Sequence, residues 1–107
     1  MSNTLLTLVD FYNVHQEMAA NEVILDVRGP DEFFEGHMPR ALNIPLDQLA
    51  TRIAELKHFS KIYIHCKRGG RAKTAYETLG KLGLNNLVCI HDAGMDAWME
   101  AGYPVVK

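Results

Sequence analysis

Residues 61–72 read Lys61-Ile62-Tyr63-Ile64-His65-Cys66-Lys67-Arg68-Gly69-Gly70-Arg71-Ala72. The run from Lys61 to His65 is rich in β-formers and predicts a strand. Gly69 and Gly70 interrupt it. From Ala72 to Leu82 the apolar residues Ala75, Leu79 and Leu82 recur at helical spacing, and Gly83 supplies a stop. Strand, short glycine-containing loop and helix follow one another here, which is the repeating unit of an α/β sheet.

Working outward, the same alternation continues. Val23-Ile24-Leu25-Asp26-Val27 predicts a buried strand, broken at Gly29-Pro30, with one short helical turn over Asp31 to Glu35. Ala41 to Ile44 predicts a second short strand, closed by Pro45. Leu46, Leu49, Ile53 and Leu56 repeat at about 3.6 spacing and predict a helix, with Arg52, Glu55 and Lys57 on its solvated face. Nearer the start, Asp10 is the predicted N-cap of a helix carrying Phe11, Val14 and Met18, and Thr4 to Val9 is a candidate fifth strand. Downstream, Leu87 to Ile90 predicts a strand. Met95, Trp98 and Met99 predict a last, core-packing helix ended by Gly102 and Pro104.

A length of 107 residues fits one domain, 1–107, with a single modest core. The formal charge of -2 gives no global field for nucleic acid or an anionic membrane, so neither is an expected partner and any anion site must be built locally. No stretch approaches the roughly 20 apolar residues of a membrane span. The residues from Met1 to Asp10 lack the basic start and apolar run of a signal peptide, so a cytoplasmic location is expected. The two cysteines, Cys66 and Cys89, fit no CxxC or zinc spacing and are expected to be free thiols, with Cys89 in the core. His37, His65 and His91 match no ligand pattern, so neither a metal nor a cofactor is predicted. Strand alternation sends His65 to the side opposite Cys66, and His37 is expected to brace a loop.

The chemistry concentrates on Cys66. A strand-to-helix loop at the carboxyl end of a parallel sheet is where such folds bind ligands, and its backbone N–H groups at a helix start form a hollow that attracts anions. Gly69 and Gly70 permit the positive φ such a turn needs. Lys67, Arg68 and Arg71 place three cations within five positions of the thiol, favouring the nucleophilic thiolate and attracting an anionic partner. A lone cysteine after an apolar strand is more often an inert buried thiol. The conjunction of cysteine, basic pair, glycines, arginine and helix start in one seven-residue window argues for reactivity.

At these residues the chain resembles the rhodanese family. Cys66-Lys67-Arg68-Gly69-Gly70-Arg71-Ala72 is similar to its C-x-x-G-x-R-[AS] loop, and Leu25-Asp26-Val27-Arg28 to its early L-D-V-R strand. Glu32, Gly36-His37-Met38-Pro39 and Ala41-Leu42-Asn43-Ile44-Pro45 resemble its E-x-x-x-G-H-I-P-G-A-x-N-I-P stretch. Gly94 to Trp98 and Gly102-Tyr103-Pro104-Val105 resemble its closing signature. Two positions depart: Arg40 stands at a usual glycine, and Ala93 at the first of a usual glycine pair. The resemblance implies a three-layer α/β fold with a central, mostly parallel sheet of four to five strands and helices on both faces.

It also implies a sulfurtransferase. Cys66 would take a sulfane sulfur from thiosulfate or a related small anionic donor as a persulfide, then pass it to a thiol or cyanide. The N–H groups from Lys67 to Arg71, including those of Gly69 and Gly70, would hold the terminal sulfur, and Lys67 and Arg68 the anionic end of the donor. Relatives that use mercaptopyruvate resemble C-G-S-G-V-T in this loop, so the basic pair leans toward thiosulfate. Arg71 either faces the hollow or turns back to a carboxylate such as Glu32. Asp26 and Arg28 are expected as a supporting ion pair. A protein-to-protein persulfide relay is the alternative. A phosphatase of the dual-specificity type is a third reading, disfavoured because four residues rather than five separate Cys66 from Arg71.

Overall fold

The computed structural model of the chain describes residues 3–107. Five strands, β1 (Thr4–Leu6), β2 (Glu22–Asp26), β3 (Ala41–Asn43), β4 (Lys61–His65) and β5 (Leu87–Ile90), form one sheet in the order β1-β5-β4-β2-β3, and every pairing is parallel. The helices are α1 (Leu8–His15), α2 (Pro30–Glu35), α3 (Gly70–Lys81) and α4 (Met95–Glu100). Among these residues no helix is long and apolar enough to cross a membrane.

The three middle strands are covered on both faces, as parallel strands must be, which is why they read as unbroken apolar runs. Side-chain alternation divides them between two cores. Leu25, Ile62, Ile64, Leu87 and Cys89 pack with Ala72, Ala75 and Leu79 of α3. Ile24, Tyr63, Val88 and Ile90 pack with Leu8 and Phe11 of α1 and with Met95 and Trp98 of α4. Full burial of a large apolar side chain is worth about 1.5–3 kcal/mol. Phe11 and Trp98, both fully buried, therefore anchor α1 and α4 to their face. The chain leaves β2 toward β3 at one edge and leaves β4 toward β5 on the other side. The crevice between the carboxyl ends of β2 and β4 is thus the topological switch point, the place where open α/β sheets bind ligands.

Several local expectations are corrected. Thr7, not Asp10, caps α1: β1 stops at Leu6, Thr7 is extended (φ -80°), and its Oγ1 accepts the Asp10 N–H at 3.1 Å. Val14 is exposed and Met18 half-buried, and Met18 lies past the helix end. No helix spans residues 46–57. Two 3₁₀ turns, Leu46–Gln48 and Ile53–Leu56, replace it, and Arg52 (φ -112°, ψ 15°) breaks the run between them. Leu49 and Leu56 still reach the core. Leu82 and Met99 lie at the surface, at 47% and 44% exposure. Helix α3 begins at Gly70, ahead of Ala72. Arg40 is the one non-glycine among the described residues with positive φ (70°), a conformation that disfavours a side chain. Its guanidinium is held there by the carbonyls of Met18 (3.1 Å) and Ala19 (2.6 Å). Ala93 needs no left-handed backbone.

Candidate functional site

Cys66 follows the last residue of β4, and α3 starts four residues later. Its side chain is 1% exposed, yet it lines an open bowl of about 360 Å³ together with Lys67, Arg68, Gly70 and Arg71. The thiol packs with the core on the α3 side and also forms the floor of that bowl. The Gly69 N–H donates to Cys66 Sγ at 3.0 Å. Gly69 has φ 120°, and a Cβ there would approach the His91 carbonyl oxygen to 2.7 Å, so two independent constraints require glycine. Gly70 does not share them: its φ is not positive and its surroundings are open. Its contribution is the first N–H of α3.

The hollow exists because of where two carbonyls go. In a continuing helix the Gly70 and Arg71 N–H groups would bond to the carbonyls of Cys66 and Lys67, four residues back. Both carbonyls instead accept from the start of α4: Met95 N–H to Cys66 O at 2.8 Å and Asp96 N–H to Lys67 O at 3.2 Å. The amides of Gly70 and Arg71, two residues that line the bowl, are left without those acceptors. Gly94 allows this approach. It has extended backbone, and a Cβ on it would overlap the Cys66 carbonyl oxygen and come within 2.6 Å of the Lys67 carbonyl. Lys67 and Arg68 stand exposed on the rim, with Arg68 Nε 3.4 Å from Asp96 Oδ2.

The neighbouring turn after β2 is a buried brace. Arg28 is 4% exposed, and its Nε and Nη2 donate to Asp26 Oδ1 (3.0 Å) and Oδ2 (2.8 Å). Nη2 also donates to the Gly36 carbonyl at 2.7 Å. Asn43 Nδ2 ties the turn to β3 through the carbonyls of Asp26 (3.0 Å) and Arg28 (2.9 Å). Arg71 turns to Glu32 in a two-pronged pair of 2.7 and 3.0 Å. Glu32 Oε1 also accepts the Gly29 N–H at 3.0 Å, so one carboxylate joins α2 to the start of α3. The Arg71 hydrogen bonds hold the Glu32 carboxyl down at about 2, against a smaller opposing effect of burial, and Glu32 in turn raises Arg71. Arg71 therefore lines the bowl with its guanidinium engaged by Glu32.

Residues 11–101 match the Rhodanese-like domain family. The chain belongs to that family. It is 29% identical over 100 residues to a protein named sulfurtransferase from Allochromatium vinosum, covering 92% of both chains. It is 36% identical over 75 residues to a putative sulfur carrier protein, YrkF, from Bacillus subtilis, covering 70% of this chain and 40% of that one. The chain spans about half the length or less of several curated relatives it matches. Among solved structures, a rhodanese-related protein from Thermoplasma volcanium superposes with a TM-score of 0.82 at 33% identity, covering 96% of this chain and 97% of that one.

In this rhodanese-like domain the remaining histidines and the second cysteine have separate settings. His37 stacks on the Phe33 ring at 3.7 Å, its Nδ1 lies 2.9 Å from the Phe33 carbonyl, and its backbone pairs with Val106. His91 is exposed. Cys66 and Cys89 are both free, and burial pushes the Cys89 thiol up to about 11, suiting a core residue. Asn43 and Gly94 went unassigned by sequence reasoning about the site. A glycine in a loop reads as a turn whether or not another backbone presses against it, and an asparagine at a strand end reads as a terminator. His65 lies directly behind Cys66, with its side chain on the opposite face, fully buried.

Proposed function

We propose that this rhodanese-like domain is a sulfurtransferase that carries a sulfane sulfur on Cys66, taken from thiosulfate or a related small anionic donor. The observation that carries the reading is the bowl: a thiol on its floor, an amide 3.0 Å from the sulfur and two cations on its rim. The Cys66 thiolate attacks the outer sulfur of thiosulfate. A new S–S bond forms, the original S–S bond breaks, and its electron pair leaves with sulfite. The terminal sulfur of the persulfide bears the negative charge, and the N–H groups of Gly69, Gly70 and Arg71 would receive it. Lys67 and Arg68 attract the sulfonate end of the donor. Cyanide or a thiolate then attacks the terminal sulfur, and the departing pair regenerates the Cys66 thiolate. Similarity to a sulfurtransferase over nearly the whole chain supports sulfur transfer in general.

A second reading keeps the Cys66 chemistry and changes the partner: a relay that accepts persulfide from one protein and gives it to another. Similarity to the putative sulfur carrier protein favours it. Mass spectrometry of the intact protein after thiosulfate tests the main reading. One added sulfur on Cys66, lost on adding cyanide and absent from Cys66→Ser, is the expected result. No addition from thiosulfate but ready addition from a protein persulfide selects the relay. No addition from either donor, or turnover of an aryl phosphate, overturns both.

A further inference from the structure

His65 ends β4 with its ring fully buried, and nothing in the chemistry above uses it. Its Nδ1 lies 3.2 Å from the carbonyl oxygen of Cys66, the same oxygen that accepts the Met95 N–H at 2.8 Å. Among the described residues its Nε2 has no hydrogen-bond partner, and the nearest carboxylate oxygen, Asp26 Oδ2, is 3.6 Å away, beyond hydrogen-bond range. Asp26 is already taken by Arg28. Burial is the chief influence on the ring, and it pushes the imidazole toward its neutral form. A neutral imidazole has one N–H. Placed on Nε2, that hydrogen would meet no acceptor, and the Nδ1 lone pair would face the carbonyl oxygen. Placed on Nδ1, it meets one of the two lone pairs of the Cys66 carbonyl.

We propose that His65 is a positioning residue for the Cys66 loop, donating from Nδ1 to the Cys66 carbonyl and, with the Met95 N–H, holding that carbonyl away from the bowl. The consequence follows from helix register. The Cys66 carbonyl is the i−4 acceptor for the Gly70 N–H, so releasing it invites α3 to extend backward and withdraws an amide from the hollow. Two donors on one oxygen, one from α4 and one from the strand's own last residue, oppose that rotation. Nε2 then remains a buried acceptor without a donor, 3.6 Å from Asp26 Oδ2, and that cost is offset by the anchored loop. The proposal deepens the sulfur-transfer reading and rests on it for its functional meaning.

Two measurements test it. Long-range 1H–15N correlation on the labelled wild-type protein assigns the His65 tautomer without any mutation. The proposal expects a protonated Nδ1 and an unprotonated Nε2, and the opposite assignment overturns it. The second measurement is the rate at which Cys66 is persulfidated by thiosulfate, and alkylated by iodoacetamide, in wild type, His65→Asn and His65→Leu. The asparagine amide reaches the place of Nδ1 and should keep both rates within about twofold of wild type. The leucine should lower both by about fivefold, the worth of one neutral hydrogen bond. A folded His65→Leu matching wild type, or a folded His65→Asn as slow as the leucine, overturns the proposal. If the leucine variant does not fold, the tautomer and the asparagine rates decide. If wild type takes up no sulfur, the sulfur-transfer reading fails, while the tautomer and the alkylation rates still judge His65.

Discussion

The turns after β2 and β4 sit side by side at the switch point, and they dispose of their polar groups in opposite ways. After β2, Asp26, Arg28 and Asn43 bond to one another and to nearby carbonyls until the buried charges are matched. After β4, the carbonyls are drawn off to α4 and the amides of Gly70 and Arg71 are left over. A closed turn holds its shape from within. An open turn holds its shape only because neighbours hold it, and its unclaimed donors are what a bound anion can use. The difference shows how a small sheet combines stability and reactivity: one strand end is saturated so that the next can remain unsaturated.

Breaking the closed turn should have the largest effect on stability. Arg28→Ala leaves the Asp26 carboxylate fully buried with its counter-ion gone, and breaking such a pair costs about 3–5 kcal/mol. Urea unfolding of the variant should show that loss, and a change under about 1 kcal/mol would mean that the turn is not a brace. The open turn should respond in the reverse sense. Lys67→Ala and Arg68→Ala should leave unfolding almost unchanged, because both side chains are exposed. Each should raise the KM for thiosulfate about threefold, since an exposed charge contributes under about 1 kcal/mol, and added salt should shrink the difference. A kcat effect with unchanged KM would assign these cations to the transition state instead.

The last prediction concerns the strut between the two turns. Glu32 titrates near 2 in the fold and near 4.5 when free, so the unfolded chain binds its proton first as pH falls. Its contribution is complete above about 4.5 and is lost as pH falls through about 2. Urea midpoints of wild type and Glu32→Gln should therefore differ at neutral pH and converge across that interval. A gap that persists unchanged to the acid end would separate the strut's role from its charge.

The parallel α/β order, the limits of β4 and β5 and the place of the Cys66 loop were legible because each rests on short-range chemistry. A buried strand must be apolar, a tight turn needs glycine, and Cys66, Lys67, Arg68 and Gly69 are adjacent in the chain. The segment from Leu46 to Leu56 misled because a 3.6-residue repeat reports which side chains face inward. Two 3₁₀ turns can point Leu49 and Leu56 inward as well as a helix can. Asp10 and Thr7 are both good caps, and only the end of β1 chooses between them. The parts of the site that were not legible, the Gly94 approach, the Asn43 tie and the His65 contact, are made between segments far apart in the chain or depend on which lone pair a backbone oxygen presents.

The dependence of the Cys66 loop on residues 94–96 also sets an order of events during synthesis. The chain emerges from its N-terminal end, so β4, Cys66 and the start of α3 are available before α4. Until Gly94, Met95 and Asp96 arrive, the Cys66 and Lys67 carbonyls have no donors from α4. The amides of the Cys66 loop are set only after α4 has emerged, and until then a nascent chain holds its thiol without that frame.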